Sequence, residues 1–231
     1  MESLTQPEFA NMLKEGEKLF ENRLMQFFDI SGMVFEDINF ENCSLFFCTF
    51  RNCSFRNVAF DGCTVYSGSF YTGTADGLVF ESCELELTLF DSFQFSRTAM
   101  KKCRMQWCGL INSNAASVDT STSSQFRTIT DLSQVTSADI EYIISVVMGK
   151  IERLDMDMRL KVKEIIRADI ERYKLKNPEE KQEKYSSAGT APDAPLTYGE
   201  AKGMVEGFFY GTQSPYKTKK HPYETSGGYK K

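Results

Sequence analysis

The sequence is almost without histidine: among 231 residues there is only His221, in a polar stretch near the C-terminus. Ser/His/Asp and Cys/His nucleophilic sites, and histidine-based zinc sites, therefore have almost nothing to be built from. The strings GxxxxGKS/T, GxGxxG and GxSxG are missing too, which removes the usual phosphate cradles and the nucleophile elbow. No apolar run approaches the ~20 residues that span a bilayer. Mean hydropathy is -0.37. The opening Met1-Glu2-Ser3-Leu4 has neither the basic nor the apolar segment of a secretory signal. The expectation is a soluble protein with no membrane partner, in the cytoplasm or in a particle assembled there. Charge of one sign is not in excess. With 27 Lys+Arg against 32 Asp+Glu, formally -5, the surface argues against direct nucleic-acid binding. Seven cysteines is an odd number, and with no export signal they read as reduced thiols rather than a disulfide framework. Together these absences argue against an enzyme.

What the sequence does contain is a period of five. Every fifth position is Phe35, Phe40, Leu45, Phe50, Phe55, Phe60, Val65, Phe70, Ala75, Phe80, Leu85, Phe90, Phe95, Met100, Met105, Leu110 and Ala115, without a polar residue among them. Two places earlier runs a series of mostly small or apolar residues: Met33, Ile38, Cys43, Cys48, Cys53, Val58, Cys63, Gly68, Gly73, Leu78, Cys83, Thr88, Phe93, Thr98, Cys103, Cys108 and Ser113. All the cysteines fall in it. Five fits neither the 3.6 residues of a helix nor the 2.0 of a strand, so each unit must turn a corner and start again.

Segments such as Cys48-Thr49-Phe50-Arg51-Asn52 and Cys53-Ser54-Phe55-Arg56-Asn57 resemble the pentapeptide-repeat family. The resemblance covers 33–117. It implies a mainly β fold, a right-handed quadrilateral β-helix of about four coils in which four units make one turn. It also implies inward-pointing residues at both apolar series, with a helical cap around Phe9-Ala10-Asn11-Met12-Leu13 over 1–32. Four units per turn predict that residues twenty apart stack. Cys43, Cys63, Cys83 and Cys103 then share a face, while Phe40, Phe60 and Phe80 form one ring ladder and Phe50, Phe70 and Phe90 another. Gly68, Gly73 and Ala75 under-fill one corner, which the large Phe93 is placed to fill.

After Ala115 the phase breaks, and 118–136, with its Ser/Thr run, reads as a linker. Over 137–176 the period becomes helical. Ile140, Ile143, Ile144, Val147, Met148, Ile151 and Leu154 form one stripe behind an N-cap at Ser137, and Met158, Val162, Ile165, Ile166, Ile170 and Tyr173 form a second. This is a helical hairpin or one kinked helix. Its apolar faces need cover: the open end of the β-helix, each other, or a second copy in a homo-oligomer. The Asp155/Asp157 pair points apart on a helix and reads as a solvated junction. Residues 177–231 read as an extended arm with a short helix containing Phe208 and Phe209. It ends in a tail of Lys217, Lys219, Lys220, Lys230 and Lys231 interleaved with Tyr216, Tyr223 and Tyr229.

Neither the composition nor the resemblance calls for a cofactor or metal, and the cysteine row reads as small buried hydrophobes. The outer surface is more informative. Phe46, Phe47, Tyr66, Leu87 and Trp107 are outward positions stacked on one face, an aromatic stripe of the kind that anchors protein contacts. The reading is a non-enzymatic structural or interaction module. It docks through this stripe and an arm of Phe208, Phe209, Tyr216, Tyr223 and Tyr229 into a larger assembly of protein partners, such as a virion or multi-subunit complex. The alternative comes from the family, some members of which imitate DNA to inhibit or protect type II topoisomerases. Against it stands one short acidic row, Glu41, Asp61 and Glu81, that ends in Lys101-Lys102.

Overall fold

The computed structural model describes residues 1–131, 136–151, 153, 154 and 157–160. The chain divides into two units, Met1–Gln134 and Val135–Lys231. In the first, most inward apolar residues sit in the middle of a three-residue strand, such as Ser44–Phe46 or Thr49–Arg51, while Ala115 falls in the turn Ala115–Ser117. A unit of five has room for little more before it must turn. The turn falls two residues after the inward one, and its backbone is left-handed: Asn42, Asn52, Asn57, Gly62, Thr72 and Ser82 all have φ between 50° and 60°. Asn and Gly tolerate this conformation best, which is why the repeat so often ends in them.

Pairing is parallel and in register between residues twenty apart: Leu45↔Val65↔Leu85↔Met105 on one side, Phe50↔Phe70↔Phe90↔Leu110 on the next. The Thr64 N–H donates to the Cys43 carbonyl and the Glu84 N–H to the Cys63 carbonyl, each at 2.9 Å. Strands stack into sheets of seven, five and eight. The eight-stranded sheet wraps two sides of the square, because Ser54–Asp61 and Thr74–Glu81 run through the corners at Asn57 and Gly77 as continuous strands. The result is a parallel β-solenoid of about six turns.

The coil exceeds the expected limits at both ends. Leu19–Glu21, Arg23–Gln26 and Asp29–Ser31 are strands within the stretch expected to be a cap, and Val118–Asp119 and Ser124–Phe126 are strands within the expected linker. Phe20, Met25 and Ile30 do continue the fifth-position series and are buried. Lys18, Arg23 and Phe28 fill the small-residue slots there and hide the pattern. At the far end Gln125 takes an inward slot and is exposed, so the last coil does not need apolar filling.

Inside, the two ring ladders form as the stacking predicts. Phe40, Phe60 and Phe80 lie 4.6 and 4.7 Å apart with planes within 8° of parallel, and Phe50, Phe70 and Phe90 lie 4.9 and 4.6 Å apart. The ladders meet edge to face, as between Phe80 and Phe90 at 6.1 Å. Phe93 fills the gap at Gly73, where a Cβ would lie 2.4 Å from its ring and 2.5 Å from the Cys53 carbonyl. At the N-terminal end helix α1 (Gln6–Lys14) starts from a capping box between Thr5 and Glu8. It sets Phe9 against Phe20, Phe28 and Phe35, with centroids 4.9, 5.6 and 6.2 Å away.

In the second unit, helix α2 (Ser137–Ile151) forms where the first stripe predicts it. Its cap is Thr136 rather than Ser137, because the Asp139 carboxylate accepts from the Thr136 N–H at 2.9 Å while the Asp139 N–H donates to Thr136 Oγ1 at 3.3 Å. Residues 157–160 are helical. The rest of the second stripe, Asp155 and the whole arm, including Phe208, Phe209, Tyr216, Tyr223 and Tyr229, lie outside the described residues. No helix among the described residues is long and apolar enough to cross a membrane.

Candidate protein-docking face

The stripe Phe46, Phe47, Tyr66, Leu87 and Trp107 divides into two columns. Phe46 and Tyr66 end strands of the seven-stranded sheet, in register with Glu86 and Gln106. Phe47, Leu87 and Trp107 occupy the next corner, with Phe27 below and Arg127 above, all with φ between 52° and 58°. Bulky residues are poor choices for a left-handed corner, since Cβ crowds the following carbonyl by roughly 1–2 kcal/mol. Elsewhere these corners carry mostly Asn, Gly, Ser or Thr. In this column only Ser67 follows that preference, and five exceptions out of six indicate that side-chain packing outweighs backbone preference here.

The packing is dense. Phe46 stacks on Tyr66 at 5.3 Å and meets Phe47 edge-on at 4.7 Å, while Trp107 meets Phe126 edge-on at 5.7 Å with the Arg127 guanidinium 5.7 Å from its ring centroid. Phe47, Tyr66, Leu87 and Trp107 are buried, at 8, 4, 3 and 5% exposure, and Phe46 is half-buried. Burial and the Glu86 carboxylate push the Tyr66 phenol pKa upward.

The face continues further than the stripe suggested. On the adjoining five-stranded sheet the outward residues Ser69, Leu89, Asp91 and Ile111 are also buried. The Asp91 carboxylate accepts from Asn112 at 2.6 Å and from the Ser92 hydroxyl at 3.1 Å. The signal was present in the sequence, since Leu89 and Ile111 are apolar at outward positions, but the ladder Arg51, Tyr71, Asp91 made that side read as polar. The remaining sides carry one-coil ion pairs such as Arg97 with Asp76 at 2.8 Å and Lys102 with Glu81 at 3.0 Å, and Arg104 pairs with Glu84 at 3.3 Å along the other edge of the seven-stranded sheet.

The thiols lie inside. Cys48 Sγ donates to the Met25 carbonyl at 3.4 Å, and Cys108 Sγ to that of Leu85 at 3.4 Å. Burial pushes both thiols up to about 12. Among the described residues no group of three His, Cys, Asp or Glu is placed to hold a metal ion.

Left-handed corners every five residues, a register of twenty and inward Phe/Leu columns define a parallel β-solenoid built on a five-residue repeat, the fold that the resemblance to pentapeptide-repeat proteins implies. Among solved structures, a trypsin-treated variant of QnrB1, a plasmid-mediated fluoroquinolone resistance protein, is similar at 17% identity with a TM-score of 0.16. The match covers 55% of this chain and 92% of that one. A likeness of that size carries no argument about function. No family model and no curated protein matches the chain.

Proposed function

We propose that this chain is a non-enzymatic protein-interaction module, a rigid solenoid that docks through one aromatic face and its C-terminal arm into a larger protein assembly. The observation that carries the reading is the column Phe47, Leu87 and Trp107, which keeps bulky side chains in a strained corner and continues into Leu89 and Ile111. Aromatic anchors at the centre of a dry patch are where contact energy concentrates. The DNA-mimic reading has less support: the in-register acidic column, which extends down to Glu21 in the structure, ends at Lys101, and its Glu81 is paired with Lys102.

The test is a double change, Phe47→Ser with Trp107→Ser. The variant is melted in isolation and compared with the unaltered chain for what co-purifies from the native source. Loss of the co-purifying proteins with the melt retained supports docking to another chain. A fall of a few kcal/mol in stability with the co-purifying proteins retained sinks that docking and makes the face part of the chain's own core.

A further inference from the structure

The first coil of a solenoid presents edge strands whose outward N–H and C=O groups invite another strand. Here one side is paired by the strand Glu2–Leu4, in parallel register with Arg23, Leu24 and Met25, and on the other three those groups are met by side chains from one segment, 6–18. The Gln6 amide donates through Nε2 to the Asp29 carbonyl at 3.0 Å and accepts the Asp29 N–H through Oε1 at 2.8 Å. One side chain therefore occupies both outward groups of Asp29 on the edge strand Asp29–Ser31, as a residue of a preceding coil would. On the next side the Lys18 ammonium donates to the Glu36 carbonyl at 2.6 Å, at the end of Val34–Glu36. On the side after that, Glu17 Oε1 accepts the Lys18 and Leu19 N–H groups at 3.2 Å, where Leu19–Glu21 begins. Phe9 closes the core beneath. On these three sides an amide, an ammonium and a carboxylate thus stand in for the backbone that Glu2–Leu4 supplies on the fourth.

We infer that segment 6–18 is a stopper holding shut a self-docking edge, that the surface beneath it fits the last coil of a second copy of this chain, and that Gln6 decides whether it is taken. The partner follows from the repeat. Every coil pairs in register with the next through the same ladder, so the lower edge of any coil is complementary to the upper edge of any other. The strand Ser124–Phe126 is exposed along its length. It uses the Ser124 N–H and the Phe126 carbonyl on the preceding coil, each at 2.9 Å, which turns the Gln125 N–H to the outer side. Such head-to-tail contacts do not close on themselves, so an unstoppered end leads to filaments rather than dimers.

The experiment uses the full chain with Gln6→Met, which keeps the side chain's length and apolar stem but removes the amide, and with Gln6→Glu, which keeps one acceptor and adds a charge that repels an incoming strand. In sedimentation velocity the Met variant is expected to form a concentration-dependent series of oligomers with its β circular dichroism intact, while the Glu variant runs like the unaltered chain. Adding Gln125→Pro to the Met variant should restore the original profile. A Met variant that sediments like the unaltered chain overturns the inference, as does association that survives Gln125→Pro. Hydrogen exchange on the unaltered chain checks the stopper without a mutation: slow exchange at Asp29 supports it, and exchange at the free-amide rate overturns it.

Discussion

At the scale of single residues, the fold is governed by what each slot of the five-residue unit tolerates. Two thiols in the small-residue slot, Cys48 and Cys108, are held neutral by burial, and this gives a pH signature. The Cys48 and Cys108 thiols are pushed up to about 12 by burial, from an ordinary value of 9. A raised thiol pKa means that the fold favours the neutral form, so the contribution is complete below pH 9 and is lost as pH rises toward 12. Melting temperature should fall across that window, and the Cys48→Ala, Cys108→Ala double variant should flatten the fall; identical curves for both proteins would remove the thiols from the account. Gly73 sets a second constraint. Gly73→Ala forces a methyl against Phe93 and the Cys53 carbonyl, at a cost of about 1–3 kcal/mol. Combining it with Phe93→Leu should recover part of that loss, because neighbouring sites in one packed corner do not add. Denaturant melts of the four proteins in the cycle measure the coupling. The pairing of Phe93 with Gly73 was legible in the sequence, since a large ring in a small slot needs a vacancy one coil away.

Among elements, the inward columns were readable because a buried position tolerates few residue types, and each was sampled once per turn. The limits of the coil were less readable. At Phe20, Met25 and Ile30 the inward series persists while its companion series turns to Lys18, Arg23 and Phe28, so a search requiring both misses the first coil. The extent of the buried outward face was hidden for a different reason: whether an outward Leu89 or Asp91 is buried is decided by tertiary packing, which periodicity does not record. Caps depend only on neighbours in the chain, yet Ser137 read as the cap of α2 where Thr136 takes that place. Thr5-x-x-Glu8 and Thr136-x-x-Asp139 are both reciprocal boxes. Thr5→Ala should lower stability by about 1 kcal/mol, read as a shifted urea midpoint at constant slope. An unchanged midpoint would mean that α1 is held by Phe9 alone.

For the whole molecule, the register of twenty and the corner every five residues act like the pitch and thread of a screw. Adding one unit of five at a corner such as Asn52 keeps every later inward residue inward, so the core composition is unchanged. Yet everything beyond that point turns by a quarter revolution about the axis. Columns continuous from coil to coil would then be cut and rejoined to the wrong neighbours: Phe47 would no longer share a corner with Leu87 and Trp107, and the acidic column of Glu41 would run into a different side. An insertion of four units lengthens the rod and leaves every side as it was. In this architecture surface identity is a phase, so a length change can rewrite what the protein presents to its surroundings without altering one inward side chain.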